Sequence, residues 1–148
     1  MMNTSFKVIE PKSPKEFESY FQLRWEVLRK PWGQPKGSER DKSDSTAIHR
    51  MVLDQQGCTI GVGMLIFNSD EEAQIRFMAV SENFQGMNVG TILIDCLESV
   101  ARERKCSFIV LQSRQSAIEF YKKNGFNLVK KTYLLFGEIQ HFLMNKSL

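Results

Sequence analysis

The feature that most constrains this chain is a change of hydrophobic period across residues 72–105. Glu72–Val80 reads as a strand, the last of a meander of antiparallel hairpins. Beyond it Val89, Ile92, Leu93, Leu97, Val100 and Ala101 recur at three- and four-residue spacing, which predicts a helix from Asn88 to Lys105. Between the two, Gln85-Gly86-Met87-Asn88-Val89-Gly90 delivers two glycines to the first turn of that helix. A helix start exposes unpaired N–H groups and the positive end of the dipole. Glycine removes the side chain that would keep a phosphate away from them. Gln85–Thr91 is therefore built like a pyrophosphate cradle, and Gly90→Glu is expected to abolish binding there with the fold intact. A plainer reading stands beside it, in which Gly86 makes a turn and Gly90 allows close packing, because short glycine motifs are weak signals.

The remaining elements follow the same logic. A short strand, Phe6 to Ile9, leads to Pro11 and Pro14, where Ser13 can cap a helix that ends before Pro31. The polar segment from Pro31 to Thr46 reads as a loop. Ala47–Asp54 and Cys58–Phe67 are strands, each closed by a turn. Cys106–Gln112 is a short apolar run, as for a strand buried on both faces. Ala117, Phe120 and Tyr121 mark a second helix, capped by Asn124-Gly125, and Phe126–Phe136 and Ile139–Met144 read as two final strands. The order β-α-β-β-β-α-β-α-β-β joins an antiparallel meander to a βαβ crossover, which requires one parallel strand pair in an α/β (α+β) fold.

Length and composition restrict the function classes. The 148 residues suit one domain, expected to span 1–148, and a chain of this size needs no disulfide or metal staple. Cys58, Cys96 and Cys106 lack metal-ligand spacing and sit among apolar neighbours, so buried reduced thiols are expected and no metal. A net charge of +3, with basic residues balanced by nearby acids, gives no footprint for nucleic acid. No apolar stretch approaches a membrane span and the N-terminus has no apolar signal region, so the expected location is the cytoplasm. A dinucleotide fingerprint after the first strand and a Gly-Lys-Ser/Thr phosphate loop are both missing.

A second motif lies downstream, Ala117-Ile-Glu-Phe-Tyr121-Lys-Lys-Asn-Gly125-Phe126. Together with Gln85-Gly86-Met87-Asn88-Val89-Gly90, and in this order of elements, it resembles the GNAT superfamily of N-acetyltransferases. That family carries Gln/Arg-x-x-Gly-x-Gly/Ala at the helix start and Ala-x-x-x-Tyr-x-x-x-Gly-Phe after the buried strand. The resemblance covers roughly Leu23 to Met144. This chain departs from the pattern at Asn88, where a second glycine is usual, and at Arg114, where the family often has Asn. Asn tolerates left-handed geometry better than other residues with a side chain.

The resemblance implies a mixed, mostly antiparallel sheet with a β-α-β-α core that binds acetyl-CoA as acyl donor, and a primary amine of a small molecule or protein as acceptor. It implies that Glu72–Val80 and Cys106–Gln112 are parallel neighbours that splay apart. The pantetheine arm would then lie along Met78, Ala79 and Val80, and the pyrophosphate on Gln85, Gly86, Met87, Asn88, Val89, Gly90 and Thr91. Arg114 and Ala117 would also contact the donor. A backbone N–H of Met78 or Val80 would face the acetyl oxygen, and Tyr121 would protonate the leaving thiolate. By spacing alone the plainer reading of Tyr121, a core residue packed with Ala117 and Phe120, wins.

The general base stays open among three residues. Some relatives carry Glu at the position of Gln74, which cannot ionise. Glu72 is two residues earlier on the same strand face, His141 lies in the final strand, and His49 opens an earlier one. The segment Arg24–Arg40 corresponds to the family's acceptor region, where Arg24, Trp25, Arg29, Trp32 and Arg40 could grip an acceptor with a carboxylate or phosphate and an apolar part. The rival reading is a module of the same fold that binds acyl-CoA without turnover. A monomer and a homodimer are both compatible with the sequence.

Overall fold

The computed structural model describes residues 5–148. The elements follow in the order β1 (Lys7–Ile9), α1 (Pro14–Leu28), β2 (Ile48–Leu53), β3 (Thr59–Phe67), β4 (Glu72–Val80), α2 (Val89–Glu103), β5 (Phe108–Arg114), α3 (Ile118–Lys123), β6 (Asn127–Leu135) and β7 (Ile139–Ser147). This is the order that periodicity predicts. The expected unit 1–148 also includes residues 1–4, which lie outside the described residues.

Local chemistry explains most of the boundaries. Ser13 Oγ accepts from Glu16 N at 3.1 Å while Glu16 Oε1 accepts from Ser13 N at 3.0 Å, a reciprocal cap with Pro14 in the first turn. Cys106 N–H donates to Ala101 O at 3.1 Å across Lys105, whose φ is +61°, so Cys106 belongs to the turn that ends α2. Strand β5 therefore starts two residues later than its apolar run suggests. Strand β7 runs on past Met144 because it pairs with all of β5, from Arg114↔His141 to Phe108↔Ser147.

The strands form one seven-stranded sheet in the order β1-β2-β3-β4-β5-β7-β6, antiparallel except for β4 and β5. Strand alternation sends Met51, Val62 and Ala79 to the face covered by Tyr20, Phe21 and Leu23 of α1. Val52 and Ile60 pack with Val89 and Leu93 of α2. A Cβ on Gly61 would lie 2.6 Å from Val89 Cγ1, so this glycine lets α2 lie flat on β3. Strand β6 forms one edge and is exposed along most of its length.

Two irregularities shape the middle of the sheet. The parallel ladder of β4 with β5 stops at Ile75↔Leu111, although β4 continues to Val80 and β5 to Arg114. The strands part there, leaving one edge of Arg76–Val80 without a ladder partner. On the other edge the β3–β4 register slips between Val62 and Met64, and Phe77 takes a φ of +50°. A left-handed aromatic residue costs on the order of 1–3 kcal/mol, and it marks a bulge that re-aims the strand.

One sequence expectation is corrected here. Cys106 is buried and Cys96 partly so, but Cys58 is exposed, because it follows the tight turn at Gly57 before β3 begins. Among the described residues no helix is long and apolar enough to cross a membrane.

Candidate active site

Where β4 and β5 part, two cavities open and meet. The larger, about 730 Å³, is lined by Met78, Ala79 and Val80, by Gln85, Gly86 and Asn88 of the following loop, and by the first turn of α2. The smaller, about 250 Å³, is lined by Gln74, Arg76, Phe77, Gln112, Tyr133 and His141 among others. Leu28, Met78, Arg114, Ala117 and Tyr121 line both, so Tyr121 stands at the junction.

The larger cavity fits an extended phosphorylated ligand. Asn88 is left-handed, with φ +67°, as its tolerance for that conformation allows. No side chain caps α2, so the N–H groups of its first turn remain available to an anion. The free edge of β4 offers main-chain groups to an added extended chain. Every expected donor-binding residue lines this cavity except Met87. Gly90 serves packing as well, because a Cβ there would sit 2.7 Å from Phe120 Cζ. A side chain at this position must displace the Phe120 ring, so Gly90→Glu tests packing together with binding.

Tyr121 is buried, and its hydroxyl makes no hydrogen bond among the described residues. Burial pushes its pKa up to about 12 against the opposing pull of Arg114. The phenol is thus a proton donor throughout the physiological range.

Strand pairing sets His141 opposite Arg114. Its Nδ1 lies 2.9 Å from Ile139 O. A carbonyl only accepts, so Nδ1 carries the proton in that bond and Nε2 keeps its lone pair. The ring stacks on Tyr133, centroids 4.5 Å apart and planes 10° apart. Burial, then the charges of Arg114 and Arg29, hold its pKa below the usual 6.5, although the bond to Ile139 opposes them. His141 is therefore neutral near pH 7, with an acceptor nitrogen in the smaller cavity's wall.

The structure does not bring the other base candidates to this point. Glu72 lines neither cavity and accepts from Asn68 Nδ2 at 2.6 Å, at the start of β4. His49 spends both ring nitrogens, Nδ1 on the Tyr20 hydroxyl and Nε2 on Asp44 O, each at 2.8 Å.

The acceptor candidates also divide. Arg24 is fully buried and serves the fold, donating to Glu39 O at 3.1 Å, Asp44 Oδ1 at 2.9 Å and Tyr20 Oη at 3.1 Å. Trp25 Nε1 donates to Gln34 O at 3.0 Å, Trp32 is exposed, and Arg40 lies over the Phe21 ring. Of the five, Arg29 alone lines the smaller cavity. Sequence reasoning missed Arg76 and Tyr133 in its wall. Arg76 was within reach, since alternation places it on the same strand face as Gln74. Tyr133 carried no signal within an exposed strand.

Comparison with known proteins identifies the family and the shared fold. The sequence model described as "Acetyltransferase (GNAT) family" matches residues 17–126. The chain is 26% identical over 140 residues to the uncharacterized N-acetyltransferase YjcF of Bacillus subtilis (strain 168), an alignment that covers 95% of this chain and 99% of YjcF. The fold is shared with Escherichia coli ElaA, at a TM-score of 0.78 and 22% identity over 97% of this chain and 99% of ElaA. It is also shared with an aminoglycoside 6'-N-acetyltransferase complexed with coenzyme A, at a TM-score of 0.79 and 16% identity over 97% of this chain and 96% of that one.

Proposed function

The chain belongs to the Acetyltransferase (GNAT) family, and on that premise we propose that it transfers an acetyl group from acetyl-CoA to a primary amine by direct attack in a ternary complex. The observation that carries this reading is the meeting of two cavities at Tyr121 where β4 and β5 part. The larger would hold the donor, its pyrophosphate on the uncapped start of α2 and its pantetheine arm along Met78–Val80. The smaller would hold the amine. We read residues 1–148 as one catalytic domain acting in the cytoplasm.

Acetyl-CoA supplies an activated thioester. The chain supplies position, charge and proton transfer. A backbone N–H at Met78 or Val80 is assigned to the carbonyl oxygen as negative charge develops on it. The amine nitrogen bonds to the carbonyl carbon and the carbon–sulfur bond breaks. The phenol proton of Tyr121 passes to the leaving sulfur, while His141 Nε2 takes the proton that the amine must lose. His141 is preferred over Glu72 because it lines the acceptor cavity and holds a neutral, oriented ring.

The test is thiol release from acetyl-CoA across a panel of amines, with donor binding followed by calorimetry. Release with at least one amine supports a transferase. Binding without release would make the chain an acyl-CoA-binding module, and no binding would sink both readings.

A further inference from the structure

Three guanidinium groups and no carboxylate line the smaller cavity. Arg76 is paired elsewhere, donating to Asp41 Oδ2 at 2.8 Å and to Ser43 Oγ at 3.0 Å. Arg29 and Arg114 have no such partner among the described residues. Arg29 Nη1 and Arg114 Nη2 donate to the same carbonyl oxygen, Leu28 O, at 3.1 and 3.2 Å. The remaining bond of Arg29 goes to another carbonyl, Ser38 O, at 3.1 Å. The two half-buried cations are thus drawn together on one neutral acceptor. Burial holds both below the usual arginine pKa, followed by the charge of Arg24 at Arg29, which Tyr133 and Glu39 oppose, and by the charge of Arg29 at Arg114. Stacking adds to the crowding, since Arg29 and Arg76 lie over the Phe77 ring at 5.6 and 4.6 Å from its centroid.

Half-buried cations without an ion-pair partner are costly, and an oxyanion seated between them would offset that cost with charge-assisted, bidentate bonds. A cationic or neutral occupant would leave it standing, so the same feature selects against such acceptors. The donor's phosphates do not explain the pair, because Arg29 lines the smaller cavity and not the larger.

We propose that the acceptor is a small primary amine that carries a carboxylate or phosphate, held by Arg29 and Arg114 with its amine toward His141 and Tyr121. This rests on the assignment of the two cavities to donor and acceptor. The cavity's volume of about 250 Å³ suits a small molecule rather than a long chain.

The experiment measures thiol release for matched pairs that differ in the anion: amino acids against their amides, and phosphoethanolamine against ethanolamine, with spermidine as a cationic control. The expected result is a kcat/KM at least about tenfold higher for the oxyanion member of a productive pair, as charge-assisted bonds allow. Which pair is productive tells carboxylate from phosphate. Arg29→Gln should raise KM for that member and narrow the preference, with acetyl-CoA affinity unchanged by calorimetry. Should Arg29→Gln fail to fold, Arg114→Gln, which gives up a single carbonyl bond, is read by the narrowed oxyanion preference alone, because Arg114 lines both cavities. Equal or better use of amides, ethanolamine or spermidine would overturn the inference and leave the transferase reading standing. If no amine supports release, that reading falls. Calorimetry of glutamate and phosphoethanolamine into the CoA-loaded protein then decides: binding lost in Arg29→Gln supports the anion site, and no binding to wild type overturns it.

Discussion

A Cβ placed on Gly90 would lie 2.7 Å from Cζ of Phe120, so the first turn of α2 rests directly on an aromatic ring of α3. The larger and smaller cavities meet beside that contact, because Phe120 precedes Tyr121 and the two rings pack edge to face with centroids 5.1 Å apart. The glycine at the proposed phosphate cradle also sets how closely α2 and α3 approach.

Gly90→Ala should therefore destabilise the fold by about 1–3 kcal/mol, the usual cost of overpacking, and weaken acetyl-CoA binding. Adding Phe120→Leu should restore stability, read as the urea midpoint. If Gly90→Ala alone unfolds at the wild-type midpoint, the packing contact is not what requires glycine.

Tyr121→Phe offers a cleaner separation of fold from chemistry. The hydroxyl has no protein partner among the described residues, so its removal breaks no internal hydrogen bond. Stability should stay within about 0.5 kcal/mol of wild type. kcat should fall by about 10²-fold, with KM for acetyl-CoA little changed. An unchanged kcat would make Tyr121 a packing residue.

The element order and most of the larger cavity's lining were legible in the sequence because local chemistry writes them. The Ser13–Glu16 cap, the glycines around Asn88 and the alternation of β4 each act within a few residues. The lining of the smaller cavity was not, because it depends on contacts distant in sequence. Arg24 follows the apolar stripe of α1, yet what decides its role is Asp44 and Glu39 reaching it from a loop. Arg29 and Arg114 stand far apart in the chain, and only the folded Leu28 carbonyl joins them. The bulge at Phe77 left no trace either, since no glycine marks it.

The Arg24–Asp44 pair predicts a structural loss without a catalytic one. Arg24 is fully buried and its bond to Asp44 is 2.9 Å long, while its Nε has no partner. Removing the carboxylate leaves a buried charge uncompensated, so Asp44→Ala should cost about 3–5 kcal/mol by urea unfolding. Acetyl-CoA affinity should be unaltered, because neither residue lines the donor cavity. A loss below about 1 kcal/mol, the scale of an exposed pair, would mean that the guanidinium finds water or another partner.

The last prediction concerns His141 and works in two observables of opposite origin. Its pKa in the fold lies below the usual 6.5, first because of burial and then because of Arg114 and Arg29. If Nε2 is the base, kcat/KM should rise with pH through a step below 6.5, rather than at the free imidazole value that the sequence alone suggests. The same shift bears on stability. Between the folded pKa and 6.5 the unfolded chain binds the proton and the folded chain does not. Stability is therefore complete above 6.5 and is lost as pH falls toward the folded value. His141→Gln should remove both the kinetic step and this part of the acid sensitivity, whereas Glu72→Gln should leave the kinetic step in place. Loss of the acid sensitivity alone would make His141 a buried structural ring. The amine would then arrive neutral or lose its proton to water, and the rate would follow the acceptor's own ionisation.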